Sequence, residues 1–152
     1  MQAEIEFTLN GSAASVRVDP QQMLLDVLRN TLSLKATRTG CNLGQCGACT
    51  VLLGDRAVAS CDTPMWSVAG KEVTTLEGLG TPEAPHPLQT AFIEEQAMQC
   101  GYCTSGLLMT AAALLKRNAR PSELEIRQAL DGNLCRCGVH NRVVRAVQKA
   151  SS

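Results

Sequence analysis

The feature that most narrows what this chain can become is its eight cysteines, which fall into two sets of four. The first set is Cys41, Cys46, Cys49 and Cys61; the second is Cys100, Cys103, Cys135 and Cys137. The opening residues, MQAEIEF, lack the basic segment and apolar run of an export signal, so a cytoplasmic setting with reduced thiols is expected. Export alongside a folded, signal-bearing partner is the alternative route to the periplasm. Reduced thiols weigh against a disulfide framework and make the cysteines candidate metal ligands.

Within CNLGQCGAC, Cys41, Cys46 and Cys49 are separated by four and two residues, and eleven residues lie between Cys49 and Cys61. The first three reproduce the spacing of plant-type [2Fe–2S] ferredoxins. Such a loop must wrap two irons and bring backbone N–H groups close to the sulfurs, and Gly40, Gly44 and Gly47 suit that approach. Four thiolates, two sulfides and two ferric ions sum to a charge of about −2, which backbone dipoles help to offset. Lys35 and Arg38 are the nearby candidates for added positive potential. A four-thiolate zinc site, usually built from two short knuckles, and a disulfide-stapled loop are the competing readings of this set.

The second set has a different spacing. Cys100 and Cys103 lie in QCGYCTSG, and Cys135 and Cys137 in GNLCRCG, each pair between two predicted helices. The positive ends of the following helices would face an anionic cluster. Gly101, Gly106, Gly132 and Gly138 supply pliable backbone, and Arg136 is either a charge partner or a solvated side chain. Taken alone, Cys100-x-x-Cys103 also reads as a redox-active dithiol, which expects a βαβ pattern that is not visible here. A zinc knuckle is the stronger competitor, although the tight Cys135-x-Cys137 pair disfavours it.

Periodicity divides the chain in two. Ile5, Phe7 and Leu9 alternate with polar residues, Asn10-Gly11 is a hairpin signal, and Ala14, Val16 and Val18 alternate on the return. Asp19-Pro20, with Gln22 three residues after the cap, predicts a helix to about Leu32 whose Leu24, Val27, Leu28 and Thr31 face the sheet. Further strands are expected at Thr50–Leu53, Ala57–Ser60 and Glu72–Leu76, with a tight turn at Gly54-Asp55. GTPEAPHP then reads as a linker. The expected division is a β-rich unit over 1–79, a Pro-rich joint over 80–87 and a helical unit over 88–152. In the last, helices are expected from Leu88, through Leu107–Leu115, from Ser122 with a Ser122/Glu125 capping box, and over Asn141–Ala150. The fold class is therefore α+β, ending in a small four-helix bundle.

Several function classes are excluded by what surrounds the cysteines. Fourteen acidic residues balance fourteen basic ones, so no overall field attracts nucleic acid. No apolar run approaches the roughly 18 residues of a membrane span, so direct membrane insertion is not expected. No catalytic Ser/His/Asp set, phosphate-binding loop or carboxylate pair appears. No catalytic residue is assigned to this chain.

Together, CNLGQCGAC, QCGYCTSG and GNLCRCG, in that order, closely resemble the iron–sulfur subunits and domains of the xanthine oxidase and aldehyde oxidoreductase family of molybdenum hydroxylases. The resemblance covers nearly the whole chain. It implies a β-grasp, ferredoxin-like domain followed by a four-helix domain, each holding a [2Fe–2S] cluster on one set of cysteines. It further implies a large subunit carrying a Mo-pterin cofactor, which oxidises an aldehyde or N-heteroaromatic substrate, and a FAD subunit or cytochrome c as acceptor. Gln99 matches a family glutamine that hydrogen-bonds the pterin, and Cys137 matches the ligand nearest to it. Two departures stand out: Thr104-Ser105-Gly106 replaces the usual Thr-Pro-Gly, and Gly138-Val139-His140 replaces Thr-Gly-Tyr. These look similar to bacterial members that act on N-heteroaromatics or aldehydes. His140 is read as a structural or solvated residue, with approach to the cofactor as its alternative. A free-standing ferredoxin and a zinc-dependent interaction module are the competing functions. The neutral surface favours a permanent interface over a shuttle's charged docking face.

Overall fold

The computed structural model spans residues 1–152. Strands β1 (Ala3–Leu9) and β2 (Ser12–Val18) pair antiparallel, with Ile5 opposite Val16 and Phe7 opposite Ala14. Asn10 and Gly11 both take positive φ, +50° and +81°, the type I′ requirement behind the Asn-Gly signal. Asn10 does more than turn the chain. Its side chain accepts the Thr75 N–H at 2.8 Å and donates to Thr75 Oγ1 at 3.0 Å, tying the hairpin tip to a distant loop.

The helix expected from Pro20 begins later. Asp19 caps only a turn, accepting the Gln21 N–H at 2.8 Å. The backbone of residues 20–24 is committed elsewhere: Met65 N–H donates to Gln22 O, Trp66 N–H to Pro20 O, and Leu24 N–H to Thr63 O, at 2.8–3.0 Å. Only α1 (Leu24–Asp26) winds as α-helix before widening into a π-helical turn over Val27–Thr31. Leu24, Val27 and Leu28 are fully buried as expected, but Thr31 is exposed, because the wider turn rotates the residues after it.

Strands β3 (Thr50–Leu53) and β4 (Arg56–Ala59) form a second hairpin across Gly54, and β5 (Glu72–Thr74) completes the sheet. The expected strand ends at Ser60 and Leu76 are corrected, since both residues open short 3₁₀ turns that lead the chain off the sheet. Sheet order is β2-β1-β5-β3-β4, with only the β1–β5 pair parallel. This is a β-grasp sheet. Its inward side chains, including Ile5, Phe7, Val16, Val51 and Val73, close over Leu24, Val27 and Leu28 in one core.

Four helices follow: α2 (Pro87–Glu94), α3 (Thr104–Arg117), α4 (Glu123–Leu130) and α5 (His140–Ala150). Their core gathers Leu88, Phe92, Leu107, Leu108, Ile126 and Val143. Helix α3 is buried continuously from Thr104 to Leu114, because it serves both units. Met109 and Ala113 on its other side pack against Leu52 of β3. Strand β3 is thus covered on both faces, Val51 toward the sheet's core and Leu52 toward Met109 and Ala113 of α3, each fully buried apolar side chain contributing about 1.5–3 kcal/mol.

Caps define the helix starts. His86 Nδ1 accepts the Leu88 N–H at 3.1 Å, Gln89 accepts the His86 N–H at 2.9 Å, and Pro87 opens the helix. The expected Ser122/Glu125 box is present, with Ser122 N–H donating to Glu125 Oε2 at 2.7 Å and Glu125 N–H to Ser122 Oγ at 3.3 Å. Those bonds from Ser122 hold the Glu125 carboxyl below the usual carboxylate range. A depressed carboxyl stabilises the fold fully above its unfolded pKa, and that stabilisation is lost as pH falls through the folded value. Ser122→Ala should cost about 1 kcal/mol in chemical denaturation at neutral pH. The stability gap between the native chain and Glu125→Gln should close on acidification; a gap constant with pH would show that the charge contributes nothing.

Candidate metal centres

The first four cysteines converge on the loop between the π-helical turn and β3. Asn42, Gly44 and Gly47 take positive φ there, bending the chain so that successive N–H groups point inward. Leu43, Gln45 and Cys46 donate to Cys41 Sγ at 3.3, 3.3 and 3.4 Å. Gly44 donates to Cys61 Sγ at 3.2 Å, Cys41 to Cys46 Sγ at 3.4 Å, and Cys61 to Cys49 Sγ at 3.5 Å. Gly40 leaves room for Cys46, since a Cβ on it would lie 2.4 Å from that sulfur. Ser60 fixes the other side, its N–H and hydroxyl both donating to Cys49 O.

The thiols respond to this crowding. The N–H groups of Gln45, Leu43 and Cys46 pull the Cys41 thiol down to about 6. Burial, aided by the adjacent Cys49, pushes the Cys61 thiol up to about 11 although Gly44 opposes it. Closely set thiolates ringed by N–H dipoles want a cation, and a di-iron centre supplies it.

In the second set, Cys103 and Cys135 are in contact with Cys100 close by. Burial first, then Cys135 and Cys100, push the Cys103 thiol up to about 12. Burial also raises Cys135, but the N–H groups of Val139, Cys137 and Gly138, together with Cys103, more than offset it and leave the thiol lowered. Gly101 and Gly138 hold the two turns at φ +80° and +78°. Cys137 adjoins through its backbone, its carbonyl accepting Gln99 Nε2 at 3.4 Å. Gln99 and Cys137 therefore meet at the surface.

All eight thiols are free of disulfides. A single ion would draw three or more of these side chains around one point, whereas a two-iron cluster divides its four thiolates between two metals. Three buried hydroxyls, those of Thr37, Thr104 and Ser105, have no hydrogen-bond partner in the polypeptide. Each lies within four residues of a candidate ligand. The donor set, the inward N–H groups and the orphaned Thr104 hydroxyl directly after Cys103 fit a sulfur-rich anion.

The two loops touch. Leu134 N–H donates to Cys46 O at 2.9 Å, and Asn133 Nδ2 donates to Gly47 O at 3.2 Å. Tyr102 bridges from the second loop to Thr39 O, and Arg38 lies over its ring at 5.5 Å. Arg38 thus acts between the loops, while Lys35 is turned to Arg29 O. Cys46, Cys100, Cys103, Cys135 and Arg136 share a cleft of ≈ 410 Å³. His140 is structural: its Nε2 donates to Asn133 O at 2.7 Å. The Asn133 link is invisible in sequence, where only its position beside Cys135 could draw notice.

Two such modules in tandem define a two-centre iron–sulfur electron carrier. A 2Fe-2S iron-sulfur cluster binding domain matches residues 7–76, and a [2Fe-2S] binding domain matches residues 75–148. The chain is 51% identical over 151 residues to a nicotinate dehydrogenase subunit from Pseudomonas putida, covering 99% of this chain and 96% of that one. It is 51% identical over 148 residues to the alpha subunit of isoquinoline 1-oxidoreductase from Brevundimonas diminuta, covering 97% of each. Among solved structures, quinoline 2-oxidoreductase from Pseudomonas putida 86 superposes with a TM-score of 0.93 at 37% identity, over 99% of this chain and 93% of that one. The chain belongs to the iron–sulfur small subunits of the xanthine oxidase and aldehyde oxidoreductase family of molybdenum hydroxylases. No helix is long and apolar enough to cross a membrane.

Proposed function

We propose that Cys41, Cys46, Cys49 and Cys61 hold one [2Fe–2S] cluster and Cys100, Cys103, Cys135 and Cys137 the other, and that electrons enter at the second and leave from the first. The observation that carries this is the gathering of the first four thiols, and of Cys100, Cys103 and Cys135 with the Cys137 backbone beside them, around inward N–H groups, with the two loops joined by the Leu134–Cys46 hydrogen bond. Residues 80–87 are the joint between the two units, holding the Thr81–Ala84 turn and ending in the His86 cap and Pro87 that open α2.

The Mo-pterin cofactor of the large partner subunit takes two electrons from substrate when bound, and this chain conducts them onward singly. Gln99 and Cys137 form the contact with the pterin, since a glutamine amide offers both a donor and an acceptor. Exposed Met98 and Leu134, next in sequence to Gln99 and Cys135, extend an apolar surface for the large subunit. The acceptor is a flavin or cytochrome subunit, and the substrate is an N-heteroaromatic ring, as the names of the relatives suggest.

The complex isolated anaerobically should contain four irons and four acid-labile sulfides in this chain, copurify with a large molybdenum-containing chain, and show two distinct [2Fe–2S] electron-paramagnetic-resonance signals on reduction. A colourless protein with stoichiometric zinc would refute the assignment. Isolation of the red-brown chain alone, with no large partner, would favour a free-standing ferredoxin.

A further inference from the structure

The first turn of α3 holds a group that cluster ligation alone does not use. Thr104 directly follows Cys103, is 8% exposed, and its Oγ1 has no hydrogen-bond partner. A threonine in a helix ordinarily relieves a buried hydroxyl by donating to the carbonyl four residues back. Here that would be Cys100 O, and no such bond is made. Buried polar groups are nearly always satisfied, because an orphan keeps the full cost of losing its water. A partner outside the polypeptide is therefore expected.

The helix geometry says where it lies. Thr104, Leu108 and Ala111 are spaced i, i+4, i+7 and share one face, and Leu108 and Ala111 belong to the helical core. Cys103, Cys135 and Cys137 pack against that same core. Thr104 ends the stripe at the helix terminus where Cys103 sits, so its hydroxyl is at the cysteine-lined end of the core. Ser105 is also buried and orphaned, but it is about 100° further round the axis, toward the side of Met109, which packs on Leu52 of β3.

We propose that the Thr104 hydroxyl donates an O–H···S hydrogen bond to the cluster held by Cys100, Cys103, Cys135 and Cys137, and thereby raises that cluster's reduction potential. This rests on the two-cluster assignment above. Reduction adds negative charge to the sulfurs, so a donor hydrogen bond stabilises the reduced form more than the oxidised one. Thr104 is a positioning and tuning residue, not a ligand.

The test is Thr104→Val in the assembled holo-complex, which keeps the shape and removes the hydroxyl, followed by an EPR-monitored redox titration. One of the two [2Fe–2S] signals should shift to more negative potential while the other stays in place. Thr104→Ser should return it toward the native value, and Ser105→Ala should leave both unchanged. Pulsed EPR in deuterated buffer should detect an exchangeable deuteron coupled to the shifted cluster in the native chain and in Thr104→Ser, and lose it in Thr104→Val. Two intact signals with unchanged potentials in Thr104→Val would overturn the proposal. So would an equal shift in Thr104→Ser or Ser105→Ala, which would trace it to packing or to any buried hydroxyl. Absence of two [2Fe–2S] signals in the native complex would instead defeat the cluster assignment itself.

Discussion

Cys137→Ser should stop substrate-driven turnover of the assembled enzyme almost entirely while leaving one of its two iron–sulfur signals unchanged. A serine hydroxyl does not ionise near neutral pH as a thiol does, so the second cluster loses an anionic ligand on the side next to Gln99. Loss of an outer-shell partner typically costs about 10–100-fold in metal affinity or activity, and losing a ligand should exceed that. The first cluster is expected to survive because its loop hangs from a separate core, built by Ile5, Phe7, Leu24, Leu28 and Val51. Steady-state turnover with substrate and natural acceptor, beside EPR of the dithionite-reduced protein, checks both halves. Turnover close to native would remove Cys137 from the route. Disappearance of both signals would show that the two sites cannot assemble independently.

That independence bears on how much is legible in the sequence. The Asn10-Gly11 turn, the alternation of Ile5 and Phe7, and the Ser122/Glu125 box are local signals, and each becomes the element it predicts. Family membership is legible because cluster chemistry demands fixed cysteine spacings in three short motifs. The late start of α1 is not, because the hydrogen bonds that delay it come from residues 63–66, remote in sequence. The π-helical turn after it also lacks a local marker. His86 escapes notice as a cap since its ring nitrogen does what Ser or Asp usually does.

The glycines show the same division between local and remote causes. Gly44, Gly47, Gly101 and Gly138 take positive φ, as their places beside candidate ligands suggest. Gly106 reads in sequence as the same kind of pliable backbone near a cluster, and that is corrected by what faces it. It lies inside helix α3, where its lack of a side chain matters for a contact made by another part of the chain.

Gly106→Ala should accordingly be strongly destabilising for a single added methyl. A Cβ at this position would lie 2.0 Å from Gly47 O and 3.0 Å from Gly47 C, both backbone atoms that cannot rotate aside. Relief requires α3 to move off the first cysteine loop. That motion would strain the Asn133–Gly47 and Leu134–Cys46 hydrogen bonds and part Met109 from Leu52. Overpacking of this kind costs about 1–3 kcal/mol. For a chain of this size, that lowers the melting temperature by about 2–12 °C. Gly132→Ala is the matched control: a Cβ there meets nothing within 4 Å, so it should melt near the native temperature. Thermal unfolding of the two holo-variants makes the comparison directly. Because Gly106 faces the loop holding Cys46 while its helix begins just after Cys103, Gly106→Ala should also weaken the magnetic interaction between the two reduced centres. A melting temperature for Gly106→Ala equal to that of Gly132→Ala would mean that the two loops are not pressed together as the structure places them.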